Sequence, residues 1–385
     1  MGVGPVELTL SRLLILAGLV ALVATEGARR ELFATRLELP LLLLLAAALV
    51  TTVKWGTEPR LRFLVESVAL FYLAFAVVRS RPDARLALVA VALVALALPA
   101  LSGIAQISQD EATGFYRDGC EPVTAPPPVV PEGALTRATG TFANPNLLAG
   151  HLLLLAPLAA LAALSGRAAL QLRLVAGLAV GLGYLALALT YSRSAIFFAL
   201  LAIGVAVAVS GVRHRRAIAA VVAALAVGST FLFAACGSEA GAGYGRTQEG
   251  KDTVAIATDH PLWGVGLGRV GDVLRAQDER ATTQHAHNLF LNWWAEAGPA
   301  ALVAWVWLLA ALLWRSLRAA RRGDPLARGT LAALVGFVGF SLLDHPANAD
   351  RVATAFWVVA ALAAATAASL DRGRTTASGP RCRGA

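Results

Sequence analysis

A polar run at 284–299 carries residue types suited to proton transfer, in a chain that is otherwise mostly apolar. His287 is followed by Asn288, Asn292 and Glu296, which recur every four residues and so share one face of a predicted helix. An imidazole has a pKa suited to proton transfer near neutrality, so His287 is a candidate general base or a residue that positions a substrate hydroxyl. Polar groups at membrane depth usually mark a functional site. The alternative, a helix end that faces water, explains Glu296 poorly.

Two arginines suggest a second chemistry, which is the binding of an anion. Arg193 lies between two apolar runs, and the hydroxyls of Ser192 and Ser194 can share a phosphate with its guanidinium. Arg246 lies in a long polar stretch, and two guanidiniums can hold a diphosphate through paired hydrogen bonds, which lysines do less well. The simpler alternatives are a helical hairpin whose Arg193 reaches the lipid headgroups and an ordinary loop arginine at 246.

Two further polar segments adjoin apolar runs. Asn144 and Asn146 precede one run, where an Asx-type turn and a helix N-cap would explain both. Asp344 follows another run, where a helix-ending turn with a solvated carboxylate would explain it. The full set of candidate substrate-binding residues is Asn288, Ser192, Asn144, Asn146, Asn292, Glu296 and Asp344.

Several common sites are missing from the sequence. It has no glycine-rich phosphate loop followed by Lys-Ser/Thr and no Asp-x-Asp pair for a metal-bound nucleotide sugar. His285 and His287 are two residues apart, a spacing that does not place them on one helical face, so a zinc site is disfavoured. We therefore predict no metal and no cofactor. The arginines are scattered among short loops without interleaved aromatic residues, which disfavours a nucleic-acid partner.

The composition predicts an all-α polytopic membrane protein. Of the 385 residues, 57% are hydrophobic and only 15% are charged, against about a quarter charged in ordinary soluble domains. The apolar runs approach the ~20 residues that cross a bilayer, and we expect about 11–12 transmembrane helices. The predicted spans are 8–24, 39–53, 61–78, 85–104, 147–164, 174–191, 195–210, 217–236, 288–314, 329–343 and 352–369.

The distribution of arginines predicts the orientation of these spans. The short connections that hold most of them alternate with long polar loops near 106–146 and 237–286, so the arginine-rich connections and the C-terminus are predicted to be cytoplasmic. Residues 1–370 then form one transmembrane domain, and 371–385 form a basic, disordered cytoplasmic tail. Eleven spans place the N-terminus outside. Cys120 and Cys236 share the outer side, where a disulfide or two free thiols would both be compatible.

Within the second long loop, which precedes the ninth predicted span, an amphipathic helix is predicted at 247–258. A turn-rich segment at 260–268 follows it, and its glycines allow a close approach of backbone to a partner.

Taken together and in order, these elements resemble the O-antigen ligase and polymerase family of bacterial envelope glycosyltransferases. His287-Asn288, nine residues and Gly298 resemble the family's His-Asn signature, although Ala301 departs from its last position. The segments at 141–149 and 191–194 resemble the family's Phe-x-Asn-Pro-Asn and Ser-Arg elements. Arg246 and the segment at 260–268 resemble its outer-loop arginine and His-Pro-x-x-Gly-x-Gly segment.

The resemblance implies a C-type glycosyltransferase-like fold and an inverting, metal-independent transfer of glycan. The donor would be an undecaprenyl-diphosphate-linked glycan, and the acceptor a hydroxyl of a glycan, a lipid A core or a protein. Arg193 and Arg246 would bind the donor diphosphate, and His287 would activate or orient the acceptor. The active site would face the periplasm or cell exterior from the cytoplasmic (inner) membrane, among membrane lipids.

Two other functions remain open at this stage. A protein O-oligosaccharyltransferase would share these elements and differ in its acceptor. A polysaccharide transporter or flippase without transferase activity would instead spread polar groups through the midplane or show inverted repeats. The polar groups cluster at the outer face, which favours an enzyme.

Overall fold

The computed structural model shows a bundle of α-helices. It describes residues 35–81, 84–109, 137–164, 169–210, 246–278, 281 and 285–377, with isolated positions in 15–24 and 216–224. Its helices are α1 (Glu38–Trp55), α2 (Glu58–Ser80), α3 (Ala84–Gln109), α4 (Pro145–Leu164), α5 (Leu170–Leu189), α6 (Arg193–Ala208), α7 (Arg246–Asp259), α8 (Val270–Gln277), α9 (Leu289–Arg321), α10 (Pro325–Phe340) and α11 (Asp350–Ala377), with a short 3₁₀ helix at Pro346–Asn348.

The predicted multi-pass membrane architecture is confirmed. Among the described residues, six helices are long and apolar enough to cross a bilayer, namely α1, α2, α3, α5, α9 and α11. Three shorter apolar helices, α4, α6 and α10, account for further predicted spans. The spans predicted at 8–24 and 217–236 lie largely outside the described residues, as do Cys120 and Cys236.

The outer surface of the bundle is apolar, as expected for helices in contact with lipid. Leu39, Val53, Leu98 and Leu178 are each exposed by more than half of their surface. A contiguous apolar surface of this kind is rare on a soluble monomer. Aromatic side chains fill the interior instead, where Phe337 stacks on Phe356 with ring centroids 4.9 Å apart.

Capping residues set the short connections between neighbouring helices. α1 ends at Gly56, whose φ of 69° is the left-handed conformation favoured at a helix C-terminus. α10 begins at Pro325, and the carboxylate of Asp324 accepts a hydrogen bond from Ala327 N at 3.0 Å. These caps turn the chain sharply, so successive helices can run back through the bundle.

The predicted kink in α9 is present at Gly298–Pro299, where Gly298 has a φ of 79°. Pro299 has no N–H to donate to the carbonyl of Ala295. Val265 N donates to that oxygen instead, at 2.9 Å, and Gly266 N donates to the oxygen of Glu296 at 3.0 Å. The turn-rich segment at 260–268 therefore replaces the backbone bonds that the kink removes.

Glycine is required where this segment meets α9. A Cβ at Gly264, whose φ is 61°, would lie 2.3 Å from the Glu296 carbonyl carbon, and one at Gly298 would lie 2.1 Å from the oxygen of Leu262. Neither distance is tolerable for a side chain. The close partner that the glycines of 260–268 permit is α9 itself.

The two ends of the bundle differ in charge. α9 begins at Leu289, beside the polar candidate residues, and ends among arginines that include Arg318 and Arg321. At the arginine-rich end Arg315 donates to the carbonyl of Thr35, just before α1. α11 continues to Ala377, past the end of the predicted span, because a helix can extend into water where hydropathy no longer indicates it. Residues 378–385 of the predicted tail lie outside the described residues.

Candidate functional site

Asp344 is the centre of the polar cluster. Its carboxylate is only 3% exposed, so the sequence-based interpretation of a solvated acid is wrong. Its Oδ1 accepts a hydrogen bond from His345 N, and its Oδ2 accepts one from Asn146 Nδ2, both at 2.7 Å. Sequence hydropathy could not reveal this burial, because α4 supplies the partner from the other half of the chain.

Two charged partners reach the same carboxylate. Nδ1 of His287 lies 3.4 Å from Oδ1 of Asp344, and Nη2 of Arg246 lies 3.6 Å from Oδ2. Burial acts to raise the pKa of Asp344. The hydrogen bond and charge of His287, with the charge of Arg246, outweigh burial and hold that pKa at about 2. Asp344 is therefore ionised at neutral pH and links the histidine to the arginine.

His287 lies between two carboxylates, the second of which sequence reasoning missed. Glu249, on α7, is 3% exposed; its Oε1 accepts a hydrogen bond from His287 N at 2.9 Å, and its Oε2 lies 3.6 Å from His287 Nε2. Burial raises the pKa of Glu249, against the opposing charge of His287. The imidazole is thus flanked by Asp344 on its Nδ1 side and by Glu249 on its Nε2 side.

α7 positions Glu249 and Arg246 together. The helix predicted at 247–258 is observed from Arg246 to Asp259 and packs against α9. Arg246 and Glu249 are three residues apart, so both lie on the same side of α7. One helix therefore delivers a guanidinium and a carboxylate to His287 and Asp344.

Three arginines lie near one another at this end of the bundle. Arg137 donates from Nε to Thr190 O at 2.7 Å and from Nη2 to Asn146 Oδ1 at 3.1 Å. Its pKa is lowered first by burial and then by the charge of Arg246, with a smaller contribution from the charge of Arg193. The charge of Asp344 acts in the opposite direction, to raise the pKa of Arg137. Arg193 begins α6 immediately after the turn in which Tyr191 has a φ of 49°.

Arg137 is a second site residue that sequence reasoning missed. It lies seven residues before Asn144 in a polar segment that was interpreted only as the end of a loop, and no local pattern distinguishes it from other loop arginines. Its contact with Thr190 joins the start of α4 to the turn that carries Arg193. The group of three guanidiniums is visible only once these elements are packed together.

The candidate asparagines divide into two groups. The side-chain oxygens of Asn144 and Asn288 bind local backbone: Asn144 Oδ1 accepts from Asn146 N at 2.8 Å, and Asn288 Oδ1 accepts from the N–H groups of Phe290 and Leu291. Asn288 Nδ2 also donates to Leu342 O at 2.8 Å, two residues before Asp344. We assign these two side chains to capping. Asn146, by contrast, bridges Arg137 and Asp344.

Asn292 and Ser192 are buried beside the cluster. Asn292 is 1% exposed, and its Oδ1 accepts a hydrogen bond from Ala286 N at 3.1 Å. It thereby fixes the backbone immediately before His287. Ser192 is the N-cap residue of α6, and its buried side chain makes no capping hydrogen bond.

Three histidine rings form a row that leads away from His287. The ring centroids of His287 and His285 are 5.4 Å apart, and those of His285 and His345 are 5.2 Å apart. Burial lowers the pKa of His285 and, still further, that of His345. These two imidazoles are therefore neutral at physiological pH, unlike a solvated histidine near its usual pKa.

Glu296 lies beyond this row, on the kinked part of α9. It is 7% exposed, and its carboxyl group interacts with the backbone N–H groups of Gly268 and Val270 and with Asn292. Among the described residues its carboxyl group interacts with these groups and not with His287, so the polar stripe of α9 serves two places and not one.

The fold and this cluster define a polytopic membrane protein with a histidine, two carboxylates and several arginines gathered at one end of the bundle. Residues 152–306 match the family model for O-antigen ligase, so this part of the chain is similar to that family. The resemblance inferred from the motifs is thereby confirmed, and the match supports glycan transfer in general. No curated protein matches the chain.

The matched segment holds Arg193, Arg246, Glu249 and His287 but ends before Asp344. Arg137 and Asn146 precede it. The hydrogen bonds and ion pairs of Asp344 therefore connect the matched segment to residues on either side of it, and the site draws on both.

Proposed function

We propose that the protein transfers or polymerises glycan from an undecaprenyl-diphosphate donor to a hydroxyl acceptor on the outer side of the cytoplasmic membrane. The observation that carries this proposal is the position of His287 between Glu249 and Asp344, with Asp344 also reaching Arg246. The carboxylate of Asp344 therefore contacts both the proposed base, His287, and a proposed anion-binding residue, Arg246.

His287 is the proposed acceptor-activating group. With Nδ1 directed at Asp344, Nε2 is the nitrogen that takes the acceptor proton. Asp344 stabilises the imidazolium that forms, and Glu249, whose pKa burial raises, stands on the Nε2 side as a further proton acceptor. The pair of carboxylates keeps the ring oriented during the transfer.

The arginines are the proposed leaving-group site. The acceptor oxygen forms a bond to the anomeric carbon of the donor sugar as the bond from that carbon to the diphosphate oxygen breaks. Undecaprenyl diphosphate leaves with the electron pair, and Arg193, Arg246 and Arg137 stabilise its negative charge. Attack from the face opposite the diphosphate inverts the anomeric configuration.

In this scheme no step needs a metal ion, because guanidiniums supply the positive charge. The proposal also places the arginine-rich end of the bundle in the cytoplasm, in agreement with the charge bias of the connections. The lipid diphosphate supplies the free energy of transfer outside the cytoplasm, where nucleotide sugars are not available.

The test is transfer by purified, reconstituted protein supplied with undecaprenyl-diphosphate-linked glycan and a hydroxyl acceptor. We expect His287→Ala to reduce transfer by about 10²–10⁴-fold while donor binding persists, because the histidine acts on the acceptor. Activity should withstand EDTA. Full transfer by His287→Ala would refute the assigned base, and inhibition by EDTA reversed by added metal would refute metal independence.

A further inference from the structure

A cavity lies behind the row of histidines, and its lining includes Arg60 but not the three arginines of the site. About 620 Å³ of space lies among its lining residues, a volume that includes open solvent. Helices α2, α9 and α11 form its walls, and His345 and the segment around Leu267 and Gly268 close it on the side of the site. Arg137, Arg193, Arg246 and His287 are not among its described lining residues.

Three tryptophans line this cavity: Trp293 and Trp305 on α9, and Trp357 on α11. They form one packed group, because the rings of Trp293 and Trp305 are 5.5 Å apart and those of Trp305 and Trp357 are 5.7 Å apart. Aromatic side chains that only fill a membrane core need no polar partner, yet these three tryptophans line the cavity together with the carboxyl group of Glu296. Glu296 lines the same cavity and is 7% exposed.

Two lining residues carry a buried ring nitrogen without a hydrogen-bond partner in the described part of the chain. They are Trp305, through Nε1, and His345, through Nδ1. Trp305 is 3% exposed and His345 is 7% exposed. Leaving a buried polar group unpaired costs about 1–3 kcal/mol, so native proteins retain few such groups without a reason.

This lining suits a ligand with an apolar face and several hydroxyl groups. A carbon chain would bury against the tryptophans but would leave Trp305 Nε1 and His345 Nδ1 without partners. Arg60 and Glu296 both line the cavity, so the lining presents a guanidinium together with a carboxyl group and does not select an anion. A pyranose ring fits this lining: its C–H face packs on an indole, its hydroxyls donate to carboxyl or imidazole acceptors, and they accept from the indole N–H or from Arg60.

We propose that this cavity binds a sugar ring of the acceptor glycan, and that Trp305 and Glu296 contact that ring. The position of the cavity decides between acceptor and donor. The cavity lies on the His345 side of the histidine row, whereas the guanidiniums proposed for the donor diphosphate lie around Asp344 and Asn146. An acceptor sugar held here lies across the histidine row from the guanidiniums.

The assignment of this sugar to the acceptor rests on the proposed function, whereas the binding of a sugar in the cavity does not. The probes are therefore methyl glycosides of hexoses and N-acetylhexosamines, and binding to the purified protein in detergent is measured by saturation-transfer NMR. Binding is also measured in His287→Ala, which needs no transfer to give a signal. Probe binding without any transfer would remove the proposed function and leave the sugar site standing.

The decisive variant is Trp305→Phe, which keeps an aromatic ring and removes the unpaired N–H. We expect the affinity for the bound glycoside to fall about tenfold, as for the loss of one hydrogen bond in a desolvated site. The melting temperature should not fall. Trp307→Phe is the matched control, because Trp307 lies on the same helix, is 44% exposed and is not part of the lining. Glu296→Gln provides a second variant of nearly unchanged shape and should weaken binding similarly.

Two further measurements distinguish an acceptor sugar from a donor sugar. In transfer assays Trp305→Phe should raise the KM for the acceptor and leave the KM for the lipid-diphosphate donor unchanged. Unlabelled undecaprenyl diphosphate should not displace the glycoside. Displacement, or a raised donor KM instead, would overturn the acceptor assignment; equal glycoside affinity in Trp305→Phe and wild type, or no binding of any glycoside to wild type, would overturn the site.

Discussion

The backbone N–H of His287 donates to Oε1 of Glu249 at 2.9 Å, while Nε2 of the same histidine lies 3.6 Å from Oε2. One carboxylate therefore holds both the main chain and the ring of the proposed base. The two residues are 38 positions apart in sequence and come from different helices, so the contact depends on how α7 packs against α9.

Glu249→Gln tests whether this carboxylate takes part in proton transfer. Gln keeps an oxygen for His287 N but loses the negative charge beside Nε2, so transfer should fall on the order of ten- to a hundredfold with donor affinity unchanged. The measurement is kcat and KM for both substrates. Wild-type kcat in the variant would limit Glu249 to holding the backbone.

The same variant has an expected signature in stability. Burial raises the pKa of Glu249 above its ordinary value of 4.5, so the folded chain binds this proton more tightly than the unfolded chain. That stabilisation is complete below the unfolded pKa and is lost as pH rises through the raised folded pKa. Glu249→Gln should therefore melt at a temperature equal to or above that of wild type at pH 7, and its advantage should shrink as pH falls towards 4.5.

Gly264→Ala tests the docking of the segment at 260–268 on the kink of α9. Its φ of 61° is strained for alanine, and the added Cβ would lie 2.3 Å from backbone of Glu296, so we expect destabilisation of about 2 kcal/mol or more. Gly250→Ala is the matched control. Gly250 lies within α7 with open space at its Cβ, and alanine there should stabilise the protein by about 0.5–1 kcal/mol. Thermal unfolding in detergent distinguishes the two, and equal shifts would contradict the proposed contact.

These contacts show what sequence can and cannot indicate in this protein. Hydropathy alone is sufficient to predict α2, which is predicted at 61–78 and is observed from Glu58 to Ser80. A single apolar run in a bilayer must satisfy its backbone hydrogen bonds within itself, and a helix does this. The kink at Gly298–Pro299 could also be predicted from the sequence, since proline removes a specific hydrogen bond. By contrast, Asn146 and Asp344 are 198 residues apart, and nothing in the sequence around either residue indicates that their side chains are in contact.

Arg137→Gln tests the third guanidinium. Arg137 is half-buried, holds Asn146 Oδ1 and Thr190 O, and lies within electrostatic range of Arg246 and Arg193. If it contributes to the donor site, its replacement should raise the donor KM about tenfold and leave the acceptor KM unchanged. Arg137→Lys should recover only part of the loss. A fall in thermal stability with both KM values unchanged would indicate that Arg137 only fastens the turn before α6.

Arg193→Lys distinguishes a diphosphate clamp from an arginine that reaches lipid headgroups. Arg193 begins α6 at the same end of the bundle as His287, and its charge acts on Arg137. A guanidinium offers a planar fork to two phosphate oxygens, whereas an ammonium offers one point of attachment, so lysine should impair donor binding even though the charge is kept. Near a headgroup, in contrast, the two side chains serve nearly equally.

The measurement is transfer by Arg193→Lys at limiting lipid-diphosphate donor, where we expect a loss of about tenfold or more because charge-assisted paired hydrogen bonds are the strong ones. Arg275→Lys is the control, because Arg275 is an exposed arginine on α8 that pairs with Asp272 and lies outside the proposed site. Saturating donor should restore much of the lost rate in Arg193→Lys, since the defect lies in donor capture. Rates equal to those of wild type and Arg275→Lys at limiting donor would favour the headgroup interpretation and remove Arg193 from the diphosphate site.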